Sequence, residues 1–383
     1  MTEGNMSKLE KLIQQYCPDG VEWKPLGEVC DSLNKGTLTT SKLVKSNGHN
    51  YPVINSGREL YGYYSKYNNE GDALTIAARG EYAGFVSYFS ERFWAGGLCY
   101  PYRANTPTVS TKYLYYYLKS KQEYIRHCLV AEGGIPALNK SIIEMFEIPV
   151  PPLPVQEEIV RILDAFSELQ AELQAELQAE LQKRKQQYNF YRDNLLNFKD
   201  INRREQEIKW MKISDICNSV CSGRNRIKKP NGVYPVFGST GIISYCDKYA
   251  FDKTQILVAR VGANAGYVQI ANNKYDVSDN TLIIDLRNDI ELSLKYVYYT
   301  LICINLNKYA KGGGQPLITA GELKRISIPI PPIEEQNRIV SILDRFDTLT
   351  TDLTQGLPAE MEKRRQQYEF YRDKLLTFKR KEA

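Results

Sequence analysis

Apolar residues recur at three- and four-residue steps through Ile159, Ile162, Leu163, Phe166, Leu169 and Leu173, one stripe along a helix. The same stripe returns at Ile339, Ile342, Leu343, Phe346, Leu349 and Leu353. Residues 148–199 as a whole recur at 328–379 without a gap, with more than half of the aligned positions identical. Pro151, Pro152 and Pro154 form an extended lead-in, so the first copy predicts a helix from about Val155 to Lys199. Such a helix is roughly 67 Å long at 1.5 Å per residue. Its middle consists of Leu-Gln-Ala-Glu tetrads starting at Leu169, Leu173 and Leu177, strong helix formers that keep it continuous. The second copy has Gln355-Gly356-Leu357-Pro358 there, which predicts a break near Gly356 and a second helix to about Phe378. A helix of that length with an apolar seam needs a partner, and the other copy is the natural one.

Before each copy lies a stretch of mixed strand and helix pattern. Trp23-Lys-Pro-Leu and Trp210-Met-Lys-Ile open the two stretches, and Tyr51-Pro-Val and Tyr234-Pro-Val follow. A short apolar strand then runs into Ala-Arg and glycine, at Ala73–Gly80 and Ile256–Gly262. Gly84 and Gly266 precede Phe85-Val and Tyr267-Val, a strand–turn–strand signature. A helix is expected from Lys112 and from Lys295, and glycine loops (Gly133-Gly134, Gly312–Gly314) close each stretch. These are two α/β heads, each with a twisted sheet, alike in apolar and glycine positions and different in polar loops. A fixed frame therefore carries two different heads.

Composition narrows the chemistry. The 383 residues suit two cores, with 43% hydrophobic and 25% charged residues. No apolar run reaches the roughly 18 residues of a membrane span, and no signal-peptide pattern opens the chain, so a cytoplasmic location is expected. The eight cysteines fit reduced, buried thiols. Cys217 and Cys221 have the spacing of one helical turn, but both histidines (His49, His127) are far away in sequence, and no metal site is expected. No G-x-x-x-x-G-K-[ST] loop, no H-E-x-x-H and no Asn/Asp-Pro-Pro-aromatic motif occurs, so the chain is not expected to be an enzyme by itself. The net charge of +5 lies mostly on the second head, where Arg224, Arg226, Lys228 and Lys229 form a basic run. The first head is close to neutral, so by itself it would gain little affinity from neutralising phosphates.

The duplicated Ile-Pro-x-Pro-Pro lead-ins, the Ile-Val-x-Ile-Leu-Asp runs, the twin Gln-Gln-Tyr-x-Phe-Tyr-Arg-Asp endings (Gln186–Asp193, Gln366–Asp373) and Cys17-Pro-Asp-Gly-Val-Glu-Trp23 resemble the specificity (S) subunits of Type I restriction–modification systems over essentially the whole chain. The resemblance implies an α+β protein with two α/β target-recognition domains joined by two long conserved helices that form an antiparallel coiled coil. Its segments would be residues 1–150, 151–200, 201–327 and 328–383. Each head would read half of a bipartite site in double-stranded DNA. The helices would dock two methyltransferase (M) subunits, which carry S-adenosylmethionine and modify adenine at N6. Restriction (R) subunits using ATP and Mg would join that core. No cofactor is expected on this chain.

Candidate DNA contacts combine basic residues for phosphates with amides, hydroxyls and small residues for base edges. In the first head they are Asn55, Ser56, Arg58, Arg79, Tyr82, Gly133 and Gly134. In the second they are Arg224, Arg226, Lys228, Ser239, Thr240, Arg260, Asn264, Asn280, Gly313 and Gln315, with Ser278 and Asp279 behind them. Arg79 and Arg260, each beside a strand end and a glycine turn, lead the set. Candidates for helix pairing and subunit docking are Ile159, Leu163, Phe166, Tyr188 and Tyr191, with Ile339, Leu343, Phe346, Tyr368 and Tyr371. The tetrads read as a spacer, since each adds about 6 Å and about 40° to a helix. Two other readings stay open: an S-like subunit of a different cutting-and-methylating assembly, and a coiled-coil scaffold whose heads bind protein.

Overall fold

A computed structural model describes residues 6–382 apart from 49, 132–133, 199–207, 226–231, 313 and 352–356. It divides into two compact units, residues 1–175 with 361–383, and residues 176–360.

The first unit runs through α1 (Lys8–Tyr16), β1 (Glu22–Pro25), α2 (Leu26–Val29), β2 (Cys30–Ser32), β3 (Tyr51–Ile54), β4 (Gly62–Tyr64) and β5 (Ala73–Ala77). It continues with β6 (Val86–Phe89), β7 (Trp94–Ala95), β8 (Cys99–Ala104), α3 (Thr111–Ser120), α4 (Gln122–Tyr124), β9 (Val130–Ala131), β10 (Ala137–Leu138), α5 (Lys140–Glu144) and β11 (Glu147–Val150). Two larger sheets form, with strand orders β2-β8-β5-β6 and β4-β3-β7, where the sequence suggested one, and the pairs β1-β11 and β10-β9 stand beside them. The reason lies in β5, which is buried at all five positions. Successive strand residues face opposite ways, so Leu74 and Ile76 pack with Tyr113 and Leu114 of α3 while Ala73 packs with Ile54, Phe93 and Cys99. A strand apolar on both faces needs a cover on each, and the smaller sheet supplies the second.

The second unit repeats the plan. Its elements are β12 (Lys209–Lys212), α7 (Ile213–Ile216), β13 (Cys217–Ser222), β14 (Tyr234–Gly238), β15 (Gly241–Cys246), β16 (Phe251–Asp252), β17 (Gln255–Ala259) and β18 (Val268–Ala271). Then come β19 (Lys274–Val277), β20 (Thr281–Leu286), α8 (Leu294–Ile304), α9 (Ala320–Arg325) and β21 (Ser327–Ile330). The larger sheets are β13-β20-β17-β18 and β15-β14-β19-β16, with the pair β12-β21 beside them. Ile256 and Val258 of β17 face Tyr296 of α8, and Leu257 faces Tyr275 and Val277. Cys217 and Cys221 lie on a strand, not on a helical turn.

Helix α6 (Leu153–Leu196) follows the first head, and α10 (Ile333–Thr351) and α11 (Leu357–Leu375) follow the second. The sequence placed the first helix at Val155 with Pro154 outside it; Pro154 instead sits in the first turn, where a missing N–H costs nothing. The first helix ends at Leu196, short of the expected Lys199, since Asn197 and Phe198 are no longer helical; the break at Gly356 lies outside the described residues. Each repeat is bolted to the head before it by the same side chains. Fully buried Gln156 accepts from Ser110 N–H (2.9 Å) and donates to Thr108 O (2.8 Å) and Pro151 O (2.6 Å). Fully buried Gln336 accepts from Ser293 N–H (2.9 Å) and donates to Pro331 O (2.8 Å). Asp164 takes the Tyr116 hydroxyl (2.6 Å) and Lys112 (2.7 Å); Asp344 takes the Tyr299 hydroxyl (2.7 Å) and Lys295 (2.6 Å).

Each head is also held by the end of the other repeat. Ile159 and Leu163 share the first core with Leu376, and Val21 N–H bonds Lys379 O at 2.9 Å. Ile339 and Leu343 share the second core with Leu196. Ser167 meets the Tyr368 hydroxyl at 3.1 Å, while Tyr191 stacks on Phe346 with centroids 5.6 Å apart. Phe166 departs from the expected seam: it is 38% exposed and Leu169 62%, because core contacts of this stripe stop at Leu163.

Candidate nucleic-acid interface

In the first head, β5 ends at Ala77 and a tight turn leads to β6. Ala77 N–H bonds Phe85 O, Gly84 N–H returns to Ala77 O, and Gly80 N–H bonds Pro136 O at 2.9 Å. The second head reproduces each bond: Ala259 to Tyr267, Gly266 to Ala259, and Gly262 to Pro316 at 3.0 Å. Gly266 (φ +92) must stay glycine, since a Cβ there would lie 2.4 Å from Asn307 N. This brings the β5–β6 turn against the segment after Gly134, and the β17–β18 turn against the segment after Gln315. Gly134, Gln315 and Asn264 are exposed there, and Tyr82 is half-buried. Gly133 and Gly313 lie outside the described residues.

The loops before β8 and β20 join the same edge. Leu98 O accepts from Ala78 N–H and Asn280 O from Arg260 N–H, at 2.8 and 2.9 Å. Asn55, just past β3, accepts from Leu98 N–H through its side-chain oxygen at 2.7 Å. Its amide is therefore a brace between loops as well as a candidate reader. The Ser56 and Tyr61 hydroxyls lie 2.9 Å apart, and Arg58 is exposed. In the second head Ser239 is half-buried and Thr240 exposed in the β14–β15 turn, and Arg224 and Asn280 are exposed. Arg226 and Lys228 lie outside the described residues.

Arg79 and Arg260, matched in sequence by the Ala-Arg dipeptide ahead of a glycine, are not equivalent in space. Leu138 N–H bonds Ala78 O and Ile318 N–H bonds Arg260 O, so Arg260 stands where the first head has Ala78. Arg79 corresponds to Val261; these two make the matching bridges to Ala137 and Leu317. Arg79 is exposed, whereas Arg260 is half-buried.

The backs of the two turns differ as well. Lys119 lies 3.8 Å from the Phe85 ring centroid and donates to Val86 O and Gln122 Oε1, both at 2.9 Å. Burial, with Arg372 and Arg58 adding to it, pushes its ammonium down to about 8. In the second head Ile302 and Asn305 line the corresponding place, and a cavity of about 350 Å³ opens there between Asn264, Tyr267 and Tyr298.

On the helices, Tyr188 and Tyr368 are half-buried and Tyr191 and Tyr371 exposed at 46% and 44%. The sequence reading passed over their neighbours Phe190 and Phe370, exposed at 64% and 65% and packed edge-on against Tyr191 and Tyr371. The signal was present: both phenylalanines fall on the polar side of the apolar stripe. Among the described residues, no helix is long and apolar enough to cross a membrane, and no group of three or more His, Cys, Asp or Glu is placed to hold a metal ion.

Known proteins share this plan. The model of the Type I restriction modification DNA specificity domain matches residues 18–183 and again 205–363. A putative type I restriction enzyme specificity subunit of Haemophilus influenzae is 32% identical, over 98% of this chain and 100% of that protein. The EcoR124I/EcoR124II specificity subunit of Escherichia coli is 31% identical, over 99% and 98%. A solved chain from work on complex assembly and conformational transition of the type I R-M system has a TM-score of 0.66 at 18% identity, covering 94% of this chain and 98% of that one; it shares the fold. With two copies of the domain and relatives matched from end to end, the chain belongs to the family of Type I restriction–modification specificity subunits.

Proposed function

We propose that the chain is the non-catalytic reader of a Type I enzyme, with residues 1–150 and 201–327 each recognising half of a bipartite duplex site. The observation that carries this is the pairing of identical anchors with unlike edges. Gln156 and Gln336, Asp164 and Asp344, and the turn glycines repeat bond for bond. The loops converging at the end of β5 and of β17 differ in nearly every polar side chain. A frame that holds two different polar edges in the same local setting suits reading two different sequences.

In this reading residues 151–200 and 328–383 pair as one antiparallel coiled coil and set the spacer. The contacts inside each unit support that sense, since Ser167 meets Tyr368 and, nearer the head, Leu163 shares a core with Leu376. The exposed Phe190–Tyr191 and Phe370–Tyr371 pairs would seat one methyltransferase subunit each, because large exposed aromatics on polar helices mark interfaces. Adenine-N6 methylation with S-adenosylmethionine would be the work of those subunits, and ATP- and Mg-dependent cleavage that of restriction subunits joined through them, in the cytoplasm. Selection of random duplexes by the chain together with its methyltransferase tests the proposal. The expected product is a two-part motif with a fixed unspecified gap; a single uninterrupted motif, or no enrichment, overturns it.

A further inference from the structure

The second head keeps the surroundings of a lysine that it lacks. In the first head the Lys119 ammonium lies over the Phe85 ring and donates to Val86 O and Gln122 Oε1. Gly84-Phe85-Val86 corresponds to Gly266-Tyr267-Val268 through the turn bonds at Ala77 and Ala259, and Val86 and Val268 pair with the matching residues Ile76 and Val258. On the helices, Tyr113 and Tyr296 bond the Pro149 and Pro329 carbonyls. Tyr116 and Tyr299 bond the Asp164 and Asp344 carboxylates, so Lys119, one turn further on, matches Ile302.

Two changes empty that place in the second head. Ile302 brings no ammonium. The connection from Tyr296 to Leu306, which backs Gly266, is also shorter than that from Tyr113 to Ile125, which backs Gly84. What remains is the cavity of about 350 Å³, lined among others by Tyr267, Val268, Tyr298, Ile302 and Asn305. Tyr267 is 54% exposed, and Val268 lies on the edge strand β18. An aromatic ring, an edge carbonyl and an amide thus border the cavity, as Phe85, Val86 and Gln122 border Lys119.

The charges differ in the same sense. Arg372 and Arg58 neighbour Lys119, with Glu123 opposing them. In the second head Asp347 takes the position of Ser167, and burial, then Asp347, raises the Tyr298 hydroxyl to about 12. A cation is better placed there than a DNA phosphate. Helix α8 also leans on the end of α6, where Cys303 donates to Asp193 at 3.5 Å, just past the exposed Phe190–Tyr191 pair.

Resting on the reading that a methyltransferase subunit seats on Phe190 and Tyr191, we infer that this cavity receives a lysine side chain of that subunit. Its ammonium lies over Tyr267 and bonds Val268 O and Asn305, where the first head uses its own Lys119. Such an ammonium gains from the aromatic face most where water is excluded, and the two oxygens take two of its three protons. One of the two methyltransferase subunits is held this way and the other is not.

The test uses the full chain with its methyltransferase. It compares wild type, Ile302→Lys, Tyr267→Leu and Tyr267→Phe by melting, by titration of assembly and by selection of random duplexes. Ile302→Lys supplies the chain's own ammonium. Expected are an unchanged or higher melting temperature of the free chain and assembly weaker by about 3- to 30-fold at one subunit step. Tyr267→Leu should weaken the same step, and Tyr267→Phe, which keeps the ring, should not. Both half-sites and the gap should persist in all three at saturating methyltransferase. A lower melting temperature for Ile302→Lys overturns the inference, since the place would then not accept an ammonium. Unchanged assembly of Tyr267→Leu overturns it too, as does a changed half-site at unchanged assembly, which would turn Tyr267 toward DNA. If n-butylamine raises the melting temperature of the free chain while Ile302→Lys assembles normally, the cavity takes a free amine and the partner lysine is refuted. A wild-type chain that takes up no methyltransferase sinks the docking proposal itself.

Discussion

Glu158 shows how one charge can tie distant segments. Its carboxylate is 3% exposed and meets Lys8 of α1 at 2.7 Å and Arg161, one turn along α6, at 2.6 Å. The Arg161 hydrogen bonds, then that of Lys8, hold its acid form down to about 2 against an ordinary 4.5. A folded value below the unfolded one means stabilisation that is complete above about pH 4.5 and disappears as the pH falls toward 2. Lys8 and Arg161 are 70% and 64% exposed, so solvent screening trims the effect to about 1–2 kcal/mol. Glu158→Gln should therefore cost about that much in denaturant unfolding at pH 7, with the gap to wild type closing as the pH is lowered. An equal loss at pH 7 and pH 3 would show that packing, not charge, is what the substitution removes. Arg161 is legible at three residues' spacing, but Lys8 is known as a partner only once α1 is placed beside α6. The second repeat has Arg338 there, paired with Glu335 instead.

At the scale of elements, periodicity carried far. The stripe beginning at Ile159 exposed α6, and the burial of β5 and β17 follows from short apolar runs, with Thr75 and Gln255 as the buried polar exceptions. What stayed hidden depends on geometry at a distance. Phe166 continues the stripe yet is exposed, because a stripe defines a helix face and not where its cover ends. The Ala-Arg match misaligned Arg79 and Arg260 by one residue, and in extended chain one residue reverses the facing. The tetrads, by contrast, lie wholly inside α6, with no proline or glycine to interrupt them. Deleting Leu173–Glu176 should leave the helix intact while removing about 6 Å and about 40° between its ends. In the complex this should shorten the unspecified gap between half-sites by about one base pair, a DNA step turning about 34–36°. Methylated-site mapping would read the gap directly; an unchanged gap, or an altered half-site, would refute a spacer role for α6.

For the whole molecule, the exchange of helix ends decides how independent the heads are. Each core is completed by the helix start that follows it and by the tail of the other repeat, Leu376 for the first and Leu196 for the second. Everything that holds the first head (Gln156, Asp164, Leu163, Leu376 and the strand-like contact of Val21 with Lys379) lies outside residues 205–330. What the second head needs from its surroundings is Leu196, Ile339, Leu343, Gln336 and Asp344, which also lie outside that span. Replacing 205–330 by the head of a relative should then succeed, provided the newcomer keeps a lysine and a tyrosine where Lys295 and Tyr299 meet Asp344 of the frame. The exchanged complex should methylate sites in which one half is new and the other half, with the gap, is retained. Loss of both halves would mean that the anchors transmit the identity of one head to the other, and a newcomer lacking the tyrosine at 299 should fail to assemble, because the Asp344 carboxylate would lose its hydroxyl partner.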